Sequence, residues 1–237
     1  MSRIIITGDT HGSVEMNRLS FKNFPEGRNL TKNDYVIITG DFGAIWDGTK
    51  IDEYWLDFLE DKPFTTLFCD GNHENFNILY NYPEEEWNGG KTHIIRPSVR
   101  HLMRGQIFTI NDKKFFVMGG ATSIDKDFRK ENESWWSQEI PSFKEFDEGI
   151  VNLETNNYKV DYIITHCLPD SLLDILYCGY NEHDLLTNYL EHMVARTTTF
   201  KNWFCGHYHT DKIIHSKFYV CYHDFYEITD NGIIKIN

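Results

Sequence analysis

Short apolar runs separated by polar segments recur along the chain. Seven of them are four to six residues long and rich in β-branched or aromatic side chains, a composition that favours strands over helices. We expect strands in RIIIT (3–7), YVIIT (35–39), FTTLFC (64–69), QIFTI (106–110), KFFVM (114–118), YIIT (162–165) and KNWFC (201–205).

Two longer stretches have the apolar spacing of amphipathic helices. IDEYWLDFLED (51–61) lies between the second and third runs, and NEHDLLTNYLEHMVAR (181–196) lies between the last two. Strands that alternate with helices are typical of βαβ units, so the pattern predicts an α/β fold.

The part of the chain from Thr210 onwards has a different pattern. Its strand-like runs are separated by the turn signals HS and DNG, and it contains no helical stretch. This predicts a hairpin-rich second sheet. No linker or low-complexity tract divides the sequence, so we expect residues 1–237 to form a single domain. The charged, Trp-containing segment 122–157 is expected to be an insertion near one face.

Composition limits the classes of function. The chain has 237 residues, of which 41% are hydrophobic and 15% aromatic, as expected of a globular protein with one sizeable core. Thirty-six acidic residues against 23 basic ones give a net charge of −13. This charge opposes non-specific binding to nucleic acid, which needs clustered Lys and Arg. A phosphorylated substrate is still compatible with it, because metal ions supply positive charge locally.

The sequence also bears on the cellular compartment. No apolar run approaches the 18 residues of a membrane span, and no signal-peptide core follows the N-terminus. We therefore expect a cytoplasmic protein without a membrane partner. Its cysteines are odd in number and never spaced as C-x-x-C, which argues against a disulfide framework or a zinc ribbon. Reduced, packed thiols are the simpler interpretation of Cys69, Cys167, Cys178, Cys205 and Cys221.

Five of the strand-like runs end in small residues that are followed by side chains able to bind metals. The carboxyl ends of adjacent parallel strands open into one crevice of an α/β fold, so donors that are distant along the chain are expected to meet there. A single motif of this kind is more often an ordinary turn, but five together favour a site. The motifs are GDTHG (Asp9, His11), GDFG (Asp41), GNHE (Asn72, His73), THC (His166) and GHYH (His207, His209).

Without His73, this set comprises two Asp, one Asn and four His. Such a set exceeds the needs of one ion and suits two divalent ions such as Mn, Fe, Zn, Ni or Co. Two ions about 3.5–4 Å apart can activate a bridging hydroxide for in-line attack on phosphorus. One carboxylate must bridge them. Asp41 stands alone at its strand end and is the better candidate, since Asp9 and His11 can chelate one ion from a single loop.

In this order, the motifs resemble those of the calcineurin-like metallophosphoesterases, which read D-x-H, G-D, G-N-H-E, a lone His and G-H-x-H. The resemblance extends from Gly8 to His209. It implies a four-layer α/β/β/α sandwich, with two mixed β-sheets flanked by helices. It also implies a hydrolase of phosphoric esters with a dinuclear centre, for which Mn is the first candidate metal and Fe, Zn, Ni or Co are alternatives.

The resemblance also assigns roles to individual residues. His73 matches the family's catalytic histidine and would orient or protonate the leaving oxygen as a general acid. Glu74 would brace the loop. The metal donors fall into two groups that share a bridging Asp41: a first group of Asp9, His11 and His209, and a second group of Asn72, His166 and His207.

The second motif departs from that of the family's protein Ser/Thr phosphatases. Those continue as G-D-x-V-D-R-G, supplying an Asp for the catalytic His and an Arg for phosphate, whereas this chain reads GDFGAIWDG. Asp47 and Asp70 are both candidates for the missing partner of His73. Arg129, in GGATSIDKDFR, is a candidate for binding a phosphate oxygen, and the alternative is an exposed arginine of the charged segment.

The sequence leaves the choice between a phosphomonoester and a phosphodiester open, as it does the oligomeric state. A non-catalytic metal-binding scaffold of the same fold is one alternative, but it would tolerate loss of donors or of His73, and none is lost. A nuclease of the same superfamily is another, and the acidic charge argues against its basic groove. The other histidines have no strand-end position, and only His223, in CYHDF, calls for re-examination.

Overall fold

The computed structural model describes residues 2–176 and 183–236, and within these ranges it contains fourteen strands in two sheets. Their bounds are β1 (Ile4–Thr7), β2 (Tyr35–Ile38), β3 (Thr65–Phe68), β4 (Glu84–Trp87), β5 (Gly90–Arg96), β6 (Val99–Leu102), β7 (Gln106–Ile110), β8 (Lys113–Met118), β9 (Tyr162–Thr165), β10 (Asn202–Cys205), β11 (Lys212–Ile214), β12 (Phe218–Val220), β13 (Phe225–Thr229) and β14 (Gly232–Ile236).

Both sheets have a parallel centre and antiparallel edges. The larger sheet has the order β14-β13-β1-β2-β3-β6-β5-β4, in which β1, β2, β3 and β6 are parallel. The smaller sheet has the order β11-β12-β10-β9-β8-β7, in which β12, β10, β9 and β8 are parallel. In each sheet the parallel strands therefore present their carboxyl ends at one edge, where ligands are bound in open α/β sheets.

The helices are short and lie between the strands. The α-helices are α1 (Lys50–Glu60), α2 (Phe76–Leu79), α3 (Phe143–Thr155), α4 (Leu173–Leu176) and α5 (Leu185–Tyr189), and α5 continues as a π-helix over Leu190–Ala195. Short 3-10 helices cover Met16–Leu19, Pro25–Asn29, Lys126–Phe128, Ser137–Glu139 and Asp170–Leu172. Among the described residues, no helix is long and apolar enough to cross a membrane.

The core has three apolar layers because the central strands of both sheets are buried on both faces. Ile6 of β1 and Phe204 of β10 pack between the sheets. The neighbouring Ile5 points to the opposite face, where it packs in the layer that includes side chains of α1. Trp203 likewise lies on the outer face of the smaller sheet, with side chains of α3 and α5. This alternation confirms the predicted sandwich of two mixed sheets flanked by helices.

All seven predicted strands are present, and the predicted helix 51–61 is α1. The described part of the predicted helix 181–196 forms α5 and the π-helix, whereas positions 181 and 182 lie outside the described residues. Strands β4, β5 and β6 were not predicted. The reason lies in their sequences, since β4 is the charged run EEEW and its residues are largely exposed at the sheet edge.

The prediction of a separate C-terminal sheet is wrong. The two hairpins exist, but β11–β12 extends the edge of the smaller sheet and β13–β14 extends the edge of the larger one. A lone hairpin buries too little apolar surface to be stable in water, and the open edge of a larger sheet offers it a hydrogen-bonding partner.

The segment 122–157 consists of two different parts. Residues Phe143–Thr155 form α3, which lies between the parallel strands β8 and β9 in sequence and packs on β7. Its N-terminus has a capping box formed by Ser142 and Glu145. Positions 122–139 instead contain irregular backbone and two short 3-10 helices, and they lie near the ends of the parallel strands. The assignment of the whole chain to one domain stays a prediction.

Candidate metal centre

The predicted donors converge at the carboxyl ends of five strands. Asp9, Asp41 and Asn72 follow β1, β2 and β3 of the larger sheet, whereas His166 and His207 follow β9 and β10 of the smaller one. The edges of the two sheets therefore face one another across the site. Positions as far apart as 9 and 207 are in contact, since the backbone N–H of His207 donates to Asp9 Oδ2 at 3.0 Å.

The first group of donors is compact. Asp9, His11, Asp41 and His209 each offer one ligand atom, and these atoms all lie within 4.8 Å of one another. His11 Nε2 is 3.2 Å from Asp41 Oδ2, and His209 Nε2 is 3.4 Å from Asp9 Oδ2. The two carboxylates are buried, but the His209 side chain is 44% exposed, so this group opens towards solvent.

The second group lies deeper. His166 Nε2 is 3.2 Å from Asn72 Oδ1 and 3.3 Å from Asp41 Oδ1, and the rings of His166 and His207 are 5.0 Å apart. Asp41 therefore uses Oδ1 towards this group and Oδ2 towards the first one. A carboxylate with its two oxygens in two donor sets has the geometry of a bridge between two ions.

The tautomer of His166 is fixed by the backbone. Its Nδ1 lies 2.8 Å from the carbonyl oxygen of Thr39, which can only accept a hydrogen bond. Nδ1 must therefore carry a proton, and in the neutral ring Nε2 is left with a free lone pair that faces Asn72 and Asp41. A hydrogen bond of this kind from the second nitrogen is the usual way to orient a metal-binding histidine.

Asn72 is oriented by residues that sequence reasoning missed. Its Nδ2 donates to Ser123 Oγ at 3.1 Å, and Ser123 in turn donates from Oγ to Glu139 Oε2 at 2.5 Å. This leaves the amide oxygen of Asn72 facing His166. Ser123 and Glu139 belong to the segment 122–157, and no motif in the sequence marks them.

The backbone of the donor loops is strained. His11, Asp41, His207 and His209 have positive φ angles of 42°, 45°, 70° and 47°. For residues with a Cβ such conformations are uncommon and cost on the order of 1–3 kcal/mol each, and they persist where function requires them. Close packing adds to the constraint at Gly71, where a Cβ would lie 2.1 Å from Asp41 Oδ1. The fold therefore pays for this arrangement in stability.

The carboxylates and imidazoles of the cluster shift one another's pKa values. Burial raises the pKa of Asp9 to about 6. Burial also acts to raise the pKa of Asp41, but His166 and the other imidazoles outweigh it and hold that pKa well below its usual range. Burial acts to lower the pKa of His166 and of His11, but Asp41 raises them to about 10 and about 9. Divalent cations would replace these protons.

The donor set fits two metal ions. The oxygen and nitrogen ligands are of the types that Mn, Fe, Zn, Ni and Co accept. They converge, Asp9, Asp41, Asn72 and His166 are buried, and four of the donors have strained backbone conformations. An ordinary set of turn residues would not require such burial or strain.

His73 lies beside the donors without belonging to either group. Its backbone N–H donates to Asp41 Oδ1 at 2.8 Å, and its ring centroid is 5.8 Å from that of His11. Burial lowers the pKa of His73, Asp41 acts in the opposite direction, and Arg129 adds to the lowering. Glu74 Oε1 accepts the backbone N–H of Phe42 at 2.7 Å, so this residue ties the loop of His73 to the loop of Asp41.

Asp70 is engaged elsewhere and is not the partner of His73. Its Oδ2 accepts from Arg104 Nη2 at 2.6 Å, and its Oδ1 is 3.0 Å from His101 Nε2. This candidacy, drawn from sequence, is therefore wrong. The ion pair joins residues 34 positions apart in the chain and could not be read from the GNHE motif. Asp47, the other candidate, lines the same cavity as His73.

Two cavities meet at His73. The inner cavity has a volume of about 150 Å³ and adjoins the metal donors, and the outer cavity has a volume of about 310 Å³. The inner one is lined by Asp41, Asn72, His73, Ile124, Asp125, His207 and His209. The outer one is lined by His11, Ser13, Gly43, Trp46, Asp47, Ile51, Asp52, His73 and Arg129.

Arg129 borders the outer cavity, and its side chain is only 21% exposed. The alternative expectation was an exposed arginine at the surface of the charged segment. Its Nε donates to Asp125 Oδ1 at 2.7 Å and its Nη1 donates to the carbonyl oxygen of Ser134 at 3.0 Å. These bonds hold the guanidinium plane, and they leave Nη2 without a hydrogen bond among the described residues. Asp125 was also missed from sequence.

The cysteines near the site are structural. The four that the structure describes are free and buried, and burial raises the pKa of Cys69, Cys167 and Cys205 well above the usual range. A buried thiol with a raised pKa is a poor nucleophile and a poor ligand. Cys178 lies outside the described residues.

Comparison with known proteins identifies the family to which this chain belongs. A sequence model of the calcineurin-like phosphoesterases matches residues 2–211. A search of curated protein sequences finds no match. Among solved structures, GAP50, the anchor in the inner membrane complex of Plasmodium, has a TM-score of 0.56 at 14% identity, over 99% of this chain and 83% of its own.

A second solved structure comes from Staphylococcus aureus and is described as a 5'-nucleotidase in complex with alpha-ketoglutarate. It has a TM-score of 0.48 at 15% identity, over 99% of this chain and 52% of its own. At such low identities the structural likeness concerns the fold alone. The family match covers most of the sequence and includes all five motifs, and the chain therefore belongs to the calcineurin-like phosphoesterase family.

Proposed function

We propose that this protein is a metallophosphoesterase that hydrolyses a phosphomonoester or phosphodiester with two divalent ions, Mn being the first candidate. The observation that carries the proposal is Asp41, whose two carboxylate oxygens lie 3.2 and 3.3 Å from histidines of two different donor groups. When bound, the ions would supply Lewis acidity towards the phosphate and a hydroxide nucleophile near neutral pH.

In this proposal the first ion is held by Asp9, His11 and His209, with Asp41 shared. The second ion is held by Asn72, His166 and His207, again with Asp41 shared. Of these, Asn72 is oriented by Ser123 and His166 by Thr39. The acidic protein surface repels a polyanion, which favours a small phosphorylated substrate over a long nucleic acid.

His73 is the proposed general acid. It lines both cavities, so a phosphoryl group held between the metal donors of the inner cavity and Arg129 of the outer one would lie beside its imidazole. Proton transfer to the leaving oxygen is a task suited to a histidine near neutral pH. With Asp70 bound to Arg104, His73 has no carboxylate within hydrogen-bonding distance of its ring among the described residues, and Asp41 is the charge that most favours its protonated form.

Arg129 is the proposed phosphate-binding side chain. Its Nε and Nη1 are occupied by Asp125 and Ser134, so its orientation does not depend on substrate. A pre-positioned guanidinium loses little entropy on binding a phosphate oxygen and gives a charge-assisted hydrogen bond. This arrangement would compensate for the arginine that is missing from GDFGAIWDG.

The test is hydrolysis of p-nitrophenyl phosphate and bis-p-nitrophenyl phosphate by metal-stripped protein after addition of Mn, Ni, Zn or Mg. We expect about two ions per chain by elemental analysis, hydrolysis of at least one ester, and loss of activity with a chelator. The relative rates on the two esters would distinguish a monoesterase from a diesterase. Protein that binds two ions and hydrolyses neither ester with any metal would favour the non-catalytic scaffold instead.

A further inference from the structure

A second layer of side chains surrounds the first group of donors. Glu15 lies four positions after His11, and its Oε2 is 3.4 Å from His11 Nδ1. Its other oxygen, Oε1, accepts from the Tyr222 hydroxyl at 2.6 Å and is 3.2 Å from His223 Nε2. The Glu15 side chain is only 17% exposed, so its carboxylate is held among these three groups rather than in solvent.

Tyr222 links Glu15 to the other histidine of the first group. Its ring stacks on that of His209, with centroids 4.8 Å apart and an interplanar angle of 12°. It also stacks on His223, at 3.9 Å and 29°. The turn that carries Tyr222 is itself fixed, because the backbone N–H groups of Tyr222 and His223 donate to Asp211 at 2.8 and 3.0 Å.

The geometry of His11 makes the role of Glu15 specific. His11 Nε2 is the nitrogen that faces Asp41, at 3.2 Å, so Nδ1 is the nitrogen that faces away from the donors and towards Glu15. A carboxylate that accepts from Nδ1–H keeps the lone pair on Nε2 and makes that nitrogen a stronger ligand. Stacking on Tyr222 restricts the plane of the His209 ring in a similar way, although the His209 side chain is 44% exposed.

We propose that Glu15 and Tyr222 are positioning residues that set the affinity of the ion held by Asp9, His11, Asp41 and His209. This inference rests on the metal centre of the proposed function, but it adds two residues that lie outside the family motifs. The two donor groups are then oriented in different ways. In the deeper group Thr39 orients His166 and Ser123 orients Asn72, whereas in the outer group Glu15 contacts His11 and Tyr222 stacks on His209.

This difference gives a selective test, which is calorimetric titration of the metal-stripped protein with Mn²⁺ alone. In Glu15→Ala we expect one of the two ions to bind about 10–100-fold more weakly, the usual cost of losing a partner of this type, and the other to bind as before. Glu15→Gln keeps an acceptor for Nδ1–H and should recover most of the loss. Tyr222→Leu, which removes both the hydroxyl and the stacked ring, should weaken the same ion more than Tyr222→Phe.

Glu227→Gln is the matched control. Glu227 is about as buried as Glu15, at 12% side-chain exposure, and its carboxylate is also held by hydrogen bonds, but these go to Arg3 at 2.7 and 2.8 Å, away from the metal donors. It should lower the melting temperature without changing either Mn²⁺ affinity. If Glu15→Ala binds both ions like the wild type, or weakens both equally, the positioning role is refuted.

The outcome is separable from that of the proposed function because the measurement is binding and not turnover. A wild-type protein that binds two ions but hydrolyses no ester would refute the proposed function. The inference would still stand if Glu15→Ala selectively weakened one of those ions. Conversely, an active enzyme whose Glu15→Ala variant keeps both affinities would refute only the inference.

Discussion

The imidazole of His166 is hydrogen-bonded to the main chain of the opposite sheet, with Nδ1 2.8 Å from the carbonyl oxygen of Thr39. Thr39 follows β2 in the larger sheet, and His166 follows β9 in the smaller one. The bond therefore joins the edges of the two sheets at the metal centre. The same contact fixes the nitrogen that faces the ligands, so one hydrogen bond both joins the sheets and orients a donor.

Gly40 is the position at which this arrangement is most vulnerable. Its φ is +106°, and a Cβ there would lie 2.1 Å from His166 Nδ1. We expect Gly40→Ala to lower the free energy of unfolding by at least about 2 kcal/mol, since strain and a clash combine, and to lose metal. Urea unfolding and elemental analysis measure the two effects.

Gly48→Ala is the control for backbone strain alone. Gly48 has a φ of +67°, but the nearest atom to the place that an alanine methyl would occupy is the end of the Ile78 side chain, at 3.7 Å. We expect a loss of about 1 kcal/mol and a full metal content. Equal effects of the two substitutions would mean that the contact with His166 contributes nothing.

His73→Ala should separate catalysis from metal binding. The imidazole belongs to neither donor group, and the contact with Asp41 is made by the backbone N–H, which alanine retains. We expect kcat to fall by roughly 10²–10⁴-fold, as when a general acid is removed, with metal content unchanged. Turnover of p-nitrophenyl phosphate and elemental analysis on the same sample test this. Undiminished turnover would eliminate His73 as the acid.

Asp41→Asn and His209→Ala should differ in the number of ions lost. Asp41 contacts histidines of both groups, whereas His209 contacts Asp9 and His11, which both belong to the first group. We expect Asp41→Asn to weaken both ions and His209→Ala to weaken one. Mn²⁺ titration of the two variants in parallel gives the comparison. Two ions bound with normal affinity by Asp41→Asn would rule out a bridge at this position.

The donors could be predicted from sequence because their placement follows from local rules. Each one comes after an apolar strand, and parallel strands bring their carboxyl ends together whatever the intervening sequence. The residues that orient the donors could not be predicted in this way. Ser123 reaches Asn72 across 51 positions and Tyr222 reaches Glu15 across 207, through contacts that only tertiary structure creates.

Asp70 is a residue for which the prediction from sequence was wrong for the same reason. Its place next to the GNHE motif made it a candidate partner for His73, yet its carboxylate is turned towards Arg104 and His101. A buried carboxylate needs hydrogen-bond donors at the same depth, and Arg104, which is 3% exposed, supplies them to Asp70. Sequence proximity to the site was therefore a poor guide to the direction of the side chain.

His101 also contacts His93. Protonation of His93 should make the protein sensitive to acid. The Nδ1 atoms of the two rings are 2.9 Å apart, and His93 also stacks on Tyr80. Burial and the neighbouring His101 lower the pKa of His93 to about 4, while Asp70 acts in the opposite direction. In the unfolded chain the pKa of a histidine is about 6.5.

A folded-state pKa below the unfolded one means that the unfolded chain takes up the proton first as the pH falls. The stabilising effect of neutral His93 is therefore complete above about pH 6.5 and is lost progressively towards pH 4, where we expect a loss of about 2 kcal/mol. Asp70 acts in a lower window, because Arg104 and His101 outweigh burial and hold its pKa well below the usual range. Urea unfolding at about pH 7, 5.5 and 4.5 measures the slope. His93→Gln should be less stable near neutral pH but should lose less on acidification, and a slope equal to that of the wild type would assign the acid sensitivity to other groups.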